Sequence, residues 1–225
     1  MLQVREIYAA IMGESRYSGW PCVLVRLVGC HRRCRYCDTA YAFSGGDQMS
    51  VGDVRRQVRE LGHGLMMLTG GEPLLQAESV DLMAAGLADG LIVVLETSGT
   101  VGARVALADV PAGVSRVVDV KTPGSGITAD QVDWAGLAAL DQGDEIKLVI
   151  TDRTDYEWAR ELVTSGLEVG GDRRHLPPGP PVTFSPGWGD IELRDLAGWI
   201  LADRLPVRFQ VQLHKVVWPE AEGGV

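Results

Sequence analysis

Along the 225 residues, short runs of β-branched and apolar positions alternate with segments whose apolar residues recur at helical spacing. Residues 23–28, VLVRLV, read as a strand, and a loop follows as far as Gly46. Ser50 and Asp53 mark the start of a helix that runs to about Leu61, the serine as its cap and the aspartate near its positive end. Further strands are predicted at 65–68, 91–95, 116–120, 145–150, 182–184 and 207–211, with helices at about 75–87, 129–140, 155–165 and 190–203. A Gly- and Pro-rich break covers 166–181. Strands that alternate with helices pair in parallel through right-handed crossovers, so the fold class is α/β. Six βα units are too few to close an eight-stranded barrel, and the expectation is an open partial (β/α)6 barrel with residues 1–225 as a single domain.

Polar and Gly-rich residues recur just after the predicted strands. They are the cysteine-containing loop, Gly70-Gly71-Glu72, Glu96-Thr97-Ser98, Lys121-Thr122 and Ser185-Pro186-Gly187. In parallel α/β folds these carboxyl ends share one edge, which is where ligands bind. A composition of 46% hydrophobic and 23% charged residues excludes disordered, collagen-like and coiled-coil classes. The net charge of -9 repels a polyanion, so no nucleic-acid partner is expected. No apolar run is long enough to span a bilayer, and the start MLQVREIYAA carries charges where a signal peptide needs an apolar core. The expectation is a cytoplasmic protein with no membrane partner.

The chain has four cysteines, Cys22, Cys30, Cys34 and Cys37, and the last three fall within the eight residues CHRRCRYC. In a reducing compartment, clustered thiols bind metal or do redox chemistry more often than they form bridges. Three thiolates are an incomplete zinc set and would leave one iron of a cubane cluster open. His31 is the nearest fourth ligand, but its adjacency to Cys30 makes joint ligation awkward, and His63, His175 and His214 are remote in sequence. Spacing alone leaves an iron-sulfur cluster, a zinc site and free thiols open. Cys22, beside Pro21 and without a thiol neighbour, reads as a small buried apolar residue.

The three cysteines, with aromatic Tyr36 before the last, resemble the signature of the radical S-adenosylmethionine (SAM) superfamily, and Gly70-Gly71-Glu72-Pro73 resembles its second motif. Within it, the chain is similar to the 7-carboxy-7-deazaguanine synthase family. That likeness rests on Glu6-Ile7, Ile11-Met12-Gly13-Glu14, Gly19, Pro21, Arg26 to Cys30, Cys37-Asp38-Thr39 and Thr69 to Gln76. It continues through Glu96-Thr97-Ser98-Gly99, Asp144 to Ile150 and Gln212-Leu213-His214-Lys215. The resemblance implies a fold of the radical SAM type with a cluster loop at 29–46 and a substrate-pocket segment at 182–225. It implies a [4Fe-4S] cluster, SAM and Mg²⁺ as cofactors and a ring contraction of 6-carboxy-5,6,7,8-tetrahydropterin to 7-carboxy-7-deazaguanine with loss of ammonia.

By the same resemblance Cys30, Cys34 and Cys37 hold the cluster, and Thr39 offers the hard oxygen that Mg²⁺ prefers. Tyr36, Asp38, Gly71, Ser98, Lys121 and Ser185 belong to the SAM site, while Glu72 braces its turn. Ile11, Met12, Gly13, Glu14, Arg26, Thr69 and His214 belong to the pterin site, with Glu14 taking the pterin N–H groups and Arg26 its carboxylate. Arg26 interrupts an apolar strand, so a partner of opposite charge is expected beside it whatever its role. Two positions depart from the family pattern: Met12 stands where Gln is usual, and Ser15 where Gly is common. The chain also runs on past Lys215 through Trp218 to Gly224 and Val225. The resemblance implies a flavodoxin-like or ferredoxin-like electron donor and a homodimer. A glycyl-radical-activating enzyme acting on a partner protein is the alternative function, and a non-enzymatic metal scaffold a further one.

Overall fold

The structure, a computed structural model, describes residues 1–221; residues 222–225, including Gly224 and Val225 at the end of the expected pocket segment, lie outside the described residues. In chain order the regular elements are β1 (Leu2–Ile11), β2 (Pro21–Leu27), β3 (Asp47–Met49), α1 (Val51–Leu61), β4 (Leu65–Gly70), α2 (Ser79–Ala88), β5 (Ile92–Thr97) and β6 (Ser115–Asp119). They continue with α3 (Trp134–Leu137), β7 (Glu145–Ile150), α4 (Arg153–Thr164), β8 (Leu167–Val169), β9 (Asp172–Arg174), β10 (Val182–Pro186), α5 (Leu193–Asp203), β11 (Arg208–Phe209) and α6 (Leu213–Val217).

Nine strands form one sheet in the order β11-β10-β7-β6-β5-β4-β2-β1-β3. The run from β2 to β11 is parallel throughout, as the strand–helix alternation predicts. Its two edges, β3 and β11, do not pair with each other, which leaves the barrel open. At the far side the sheet becomes antiparallel: β1 pairs with β2 and β3 pairs with β1. Strands β1 and β3 are not predicted by the sequence pattern; β1 mixes buried and half-exposed positions and lacks a clean alternation.

Two predicted helices start or end differently. Residues 75–78 stay out of α2 because the Gln76 amide is used across the sheet, donating to the carbonyls of Gln3 (3.1 Å) and Val28 (2.9 Å). The helix expected at 129–140 is a single 3-10 turn followed by the four-residue α3, since Val132 bridges to Thr100 and Asp133 caps Gly136. The segment around His214, beyond the last predicted strand, is helix α6, and the break at 166–181 contains the hairpin β8–β9. The α1 start agrees with the sequence: Ser50 Oγ accepts from Asp53 N at 3.1 Å, and Gly62 closes the helix in the left-handed region. No helix among the described residues is long and apolar enough to cross a membrane.

The parallel strands are buried on both faces, as strands between two packed layers must be. Val23, Val25, Leu27, Met66, Leu68 and Leu95 join the large core under the helices. On the other face Cys22, Leu24, Leu65, Met67, Val94 and Val117 form a second apolar cluster with Met12. Cys22 is fully buried there, and burial pushes its thiol up to about 11. Two residues further along each strand that face turns polar, to Arg26, Thr69, Glu96 and Asp119. The period of two therefore gives the sheet an apolar floor and a charged rim on one face.

Candidate functional site

The rim opens on a cavity of about 710 Å³, a size typical of small-molecule sites. Cys30, Cys34, Cys37, Tyr36, Asp38, Thr39, Gly71, Ser98, Lys121, Ile11, Gly13, Glu14, Arg26, Thr69 and His214 all line it. Residues separated by almost the whole chain are thus brought to one place.

The cysteine loop follows β2 directly. Gly29 N donates to Ala42 O (2.9 Å), Glu72 N to Gly29 O (2.7 Å), and Arg35 N to Ser125 O (3.0 Å), which pins the loop at three points. A Cβ on Gly71 would stand 2.2 Å from the Gly29 oxygen, so the close approach of the two loops requires glycine there. Burial raises the Cys30 and Cys34 thiols, and the Lys121 charge works the other way at both. Among the described residues no three His, Cys, Asp or Glu side chains converge on a single ion. All three thiols line the one cavity, and three thiolates fit a cubane cluster that keeps one iron open for a ligand. His31 is engaged elsewhere, with Nε2 3.0 Å from Thr100 Oγ1 and 3.1 Å from Val101 O.

Glu72 is buried and does brace its turn. Oε1 accepts from Leu74 N (3.0 Å) and Thr97 Oγ1 (2.8 Å), and Oε2 accepts from Ser98 N (2.8 Å) and Ser98 Oγ (2.6 Å). Ser98 is thereby fixed at the cavity wall with its hydroxyl proton already given to Glu72.

Three charged residues to which the sequence reading assigns no role organise the site: Glu96, Asp119 and Lys147, all lining the cavity. Lys147 Nζ sits 3.2 Å from Glu14 Oε2 and 3.5 Å from Asp119 Oδ2, and Lys121 Nζ sits 2.9 Å from the same Asp119 oxygen. Burial disfavours the Lys147 ammonium, but Glu14 and Asp119 outweigh it and hold the charge well above the ordinary lysine range. Burial likewise opposes the Asp119 charge, and the two lysines overcome it and lower that carboxyl. The result is an alternating row Lys121–Asp119–Lys147–Glu14 that runs from beside Tyr36 of the cysteine loop to the segment after β1. The signal was present in the sequence as single charges inside apolar strands, Lys147 in EIKLVI above all.

Glu96 lies beside this row. Burial raises its carboxyl to about 7, with Lys147 opposing the shift and Glu14 and Asp119 adding to it. Glu96 Oε1, Asp119 Oδ1 and the Tyr36 hydroxyl are buried without a hydrogen-bond partner among the described residues. Buried polar atoms are rarely left so, and these three meet the same cavity. Lys121 Nζ also lies 5.5 Å from the Tyr36 ring centroid.

Arg26 has the expected partner: its Nε donates to Glu6 Oε1 at 2.7 Å, an oxygen that also accepts from the Tyr41 hydroxyl at 2.7 Å. Helix α6 closes the cavity from above. Leu213 N donates to Gly13 O (2.9 Å), Lys215 pairs with Asp38 (2.8 Å), and a Cβ on Gly13 would stand 2.0 Å from His214 Nδ1. Burial pushes the His214 imidazole down.

Two expected site residues are placed differently. The Met12 side chain is buried in the apolar cluster beneath the floor and does not line the cavity, since its flanking backbone groups are tied to Gly19 and Trp20. Ser185 is also buried off the lining and donates to Glu14 Oε1 at 3.3 Å, so it acts on Glu14 from behind. Ser15 adopts a left-handed φ of 70°, a conformation glycine takes without strain. The Gln210 side chain holds it there through two 2.7 Å bonds to its backbone.

Comparison with known proteins agrees with this construction. The Radical SAM superfamily matches residues 24–122. A 7-carboxy-7-deazaguanine synthase from Koribacter versatilis is 42% identical over 238 residues, covering 99% of this chain and 100% of its own. One from Chlorobaculum tepidum is 37% identical, covering 99% of this chain and 97% of its own. Among solved structures, QueE from Escherichia coli superposes with a TM-score of 0.68 at 20% identity, over 95% of this chain and 94% of that one, and shows the shared fold. The chain belongs to the 7-carboxy-7-deazaguanine synthase family of the radical SAM superfamily.

Proposed function

We infer that this protein is a radical SAM lyase that converts 6-carboxy-5,6,7,8-tetrahydropterin to 7-carboxy-7-deazaguanine with release of ammonia, in queuosine and deazapurine biosynthesis. The observation that carries the reading is that the three thiols and the Glu14–Arg26 pair open on one cavity. A [4Fe-4S] cluster held by Cys30, Cys34 and Cys37 would, together with SAM, supply a 5′-deoxyadenosyl radical for hydrogen abstraction at substrate C6.

Cys30, Cys34 and Cys37 are assigned to that cluster. Tyr36, Gly71, Ser98 and Lys121, on the lining of the same cavity, are assigned to SAM, as is Asp38, which pairs with Lys215 of α6; the unpartnered Tyr36 hydroxyl and Asp119 oxygen offer polar contacts. Thr39 is assigned to Mg²⁺: it directly precedes the short helix Ala40–Phe43 without spending its side chain on a capping bond, and its Oγ1 lies 3.8 Å from Cys37 Sγ.

At the opposite end Glu14 presents a carboxylate fixed by Lys147 and Ser185, able to take two N–H groups of a pterin. Arg26, with Glu6 occupying Nε, offers its outer Nη groups to the substrate carboxylate. Thr69, whose hydroxyl donates to Glu96 (3.4 Å), and His214 complete the wall, and Ile11 and Gly13 bring backbone to it. Helix α6 over Gly13 keeps water from this end. Residues 1–225 work as one domain and the protein works in the cytoplasm as a homodimer. Its electron donor is a flavodoxin-like or ferredoxin-like protein.

The glycyl-radical-activating alternative is not favoured, because the full-length relatives carry the synthase name. The test is anaerobic reconstitution with iron and sulfide, then incubation with dithionite, SAM, Mg²⁺ and 6-carboxytetrahydropterin. Mass spectrometry is expected to show the deazaguanine acid. Cleavage of SAM without that acid would mean a different substrate.

A further inference from the structure

A backbone in the left-handed region crowds the Cβ of any residue but glycine against the following carbonyl oxygen. Among the described residues two that carry a Cβ adopt it, Arg204 (φ 52°) and Ser15 (φ 70°). Arg204 caps the C-terminus of α5, where helices commonly end in that conformation. Ser15 ends no helix. It is buried in the connection between β1 and β2, directly after Glu14.

The bonds within the turn leave the φ of Ser15 free. Tyr17 N donates to Ser15 Oγ (3.1 Å) and Ser18 N to Ser15 O (3.2 Å), and both acceptors stand on the same side of the N–Cα bond. The Gln210 carboxamide spans that bond: its Oε1 accepts from Ser15 N and its Nε2 donates to Ser15 O, both at 2.7 Å. Gln210 is itself fixed, since its own N donates to Phe184 O (3.1 Å) in β10. Beyond Ser15 the chain is anchored again, by Arg16 N donating to Glu145 Oε1 (2.7 Å). Rotation at Ser15 therefore swings Glu14 about a fixed point, away from Lys147 and Ser185, which hold its two carboxylate oxygens.

We propose that Gln210 is a positioning residue for pterin binding: its carboxamide holds Ser15 in the left-handed conformation that presents the Glu14 carboxylate to the cavity. This rests on the reading of Glu14 as the pterin ligand. Gln210 does not line the cavity, whereas Glu14 does, so the effect passes through the Ser15 backbone. Glycine, common at this position in the family, takes the same conformation without strain. The serine and the glutamine thus work as a pair, and Ser15→Gly makes the brace dispensable.

Reconstituted holoenzyme is titrated with 6-carboxypterin and, separately, with SAM, and each Kd is measured by calorimetry. Gln210→Ala is expected to raise the 6-carboxypterin Kd about tenfold, the equivalent of one left-handed residue's strain, and to leave the SAM Kd at the wild-type value. Ser15→Gly is expected to bind both as wild type does. Ser15→Gly combined with Gln210→Ala is expected to restore the 6-carboxypterin Kd to within about twofold of wild type. Backbone chemical shifts of residue 15 report its φ independently of any ligand, and the left-handed signature is expected in wild type and lost in Gln210→Ala. An unchanged 6-carboxypterin Kd in Gln210→Ala, an equal loss of SAM affinity, or a double variant no tighter than Gln210→Ala overturns the proposal. So does a left-handed signature that survives Gln210→Ala. If Gln210→Ala does not fold, Gln210→Glu, which keeps the acceptor for Ser15 N and loses the donor to Ser15 O, decides by the same readouts. If wild-type holoenzyme does not bind 6-carboxypterin while Gln210→Ala still loses the left-handed signature, the pterin reading fails and the brace on Ser15 stands.

Discussion

Replacing Glu72 with Gln tests the bracing of the Gly-Gly-Glu turn. The wild-type carboxylate takes four hydrogen bonds at a position only 1% exposed. Glutamine keeps one acceptor oxygen, and its amino group must face either Ser98 N and Oγ or Leu74 N and Thr97 Oγ1. A hydroxyl can turn and accept, but a backbone N–H cannot, so either orientation leaves one buried backbone donor facing another donor. That loss, with removal of the charge from the remaining bonds, costs about 2–3 kcal/mol. For a chain of this length each kcal/mol lowers Tm by roughly 2–4 °C, so a fall of about 4–12 °C is expected. Thermal unfolding of the cluster-free protein by circular dichroism measures it, and the double variant with Ser98→Ala apportions the Ser98 share. If Glu72→Gln melts within about 1 °C of wild type, the carboxylate is not the brace that its hydrogen bonds indicate.

Lys147→Met removes the cation shared by Glu14 and Asp119; it is expected to destabilise the protein by about 3 kcal/mol in urea unfolding and to weaken binding of 6-carboxypterin in calorimetry. Glu96 supplies a pH dependence of defined sign: its carboxyl, raised to about 7 from 4.5, contributes stability that is fully present below pH 4.5 and lost as pH rises through about 7. Unfolding free energies of Glu96→Gln measured from pH 4.5 to 8 are expected to lack that decline. Thr39→Ala is expected to raise the Mg²⁺ concentration for half-maximal product formation while leaving the iron content of the reconstituted protein unchanged. Cys34→Ala is expected to lower the iron content and abolish turnover.

Much of this site was legible because its chemistry sits at strand ends. The period of two in β2, β4, β5 and β6 fixes which residues share the inner face, and the residues after each strand fall at one edge. Lys147 was harder to assign than Lys121, since a buried cation inside a strand declares itself only when its partners are known, and Glu14 and Asp119 come from distant segments. Strand β1 was missed for a related reason: its residues serve the floor, the rim and the edge in turn, so no single period runs through it. Met12 shows the limit of transferring a role by position. A thioether in place of an amide joins Cys22 and Leu24 in the apolar cluster rather than facing the cavity. Helix α6 is five residues long, too short for helical periodicity to reveal, and it is held by contacts to Gly13 and Asp38 rather than by its own propensity.

If one cavity holds the radical source and the pterin in register, the hydrogen taken from substrate C6 returns from 5′-deoxyadenosine to the product radical, and SAM is restored after each turnover. The most direct measurement is the ratio of deazaguanine acid formed to SAM consumed, with reconstituted enzyme, excess 6-carboxytetrahydropterin and Mg²⁺. The account predicts many molecules of acid per SAM lost. A ratio of about one or below, with 5′-deoxyadenosine accumulating in step, would contradict it.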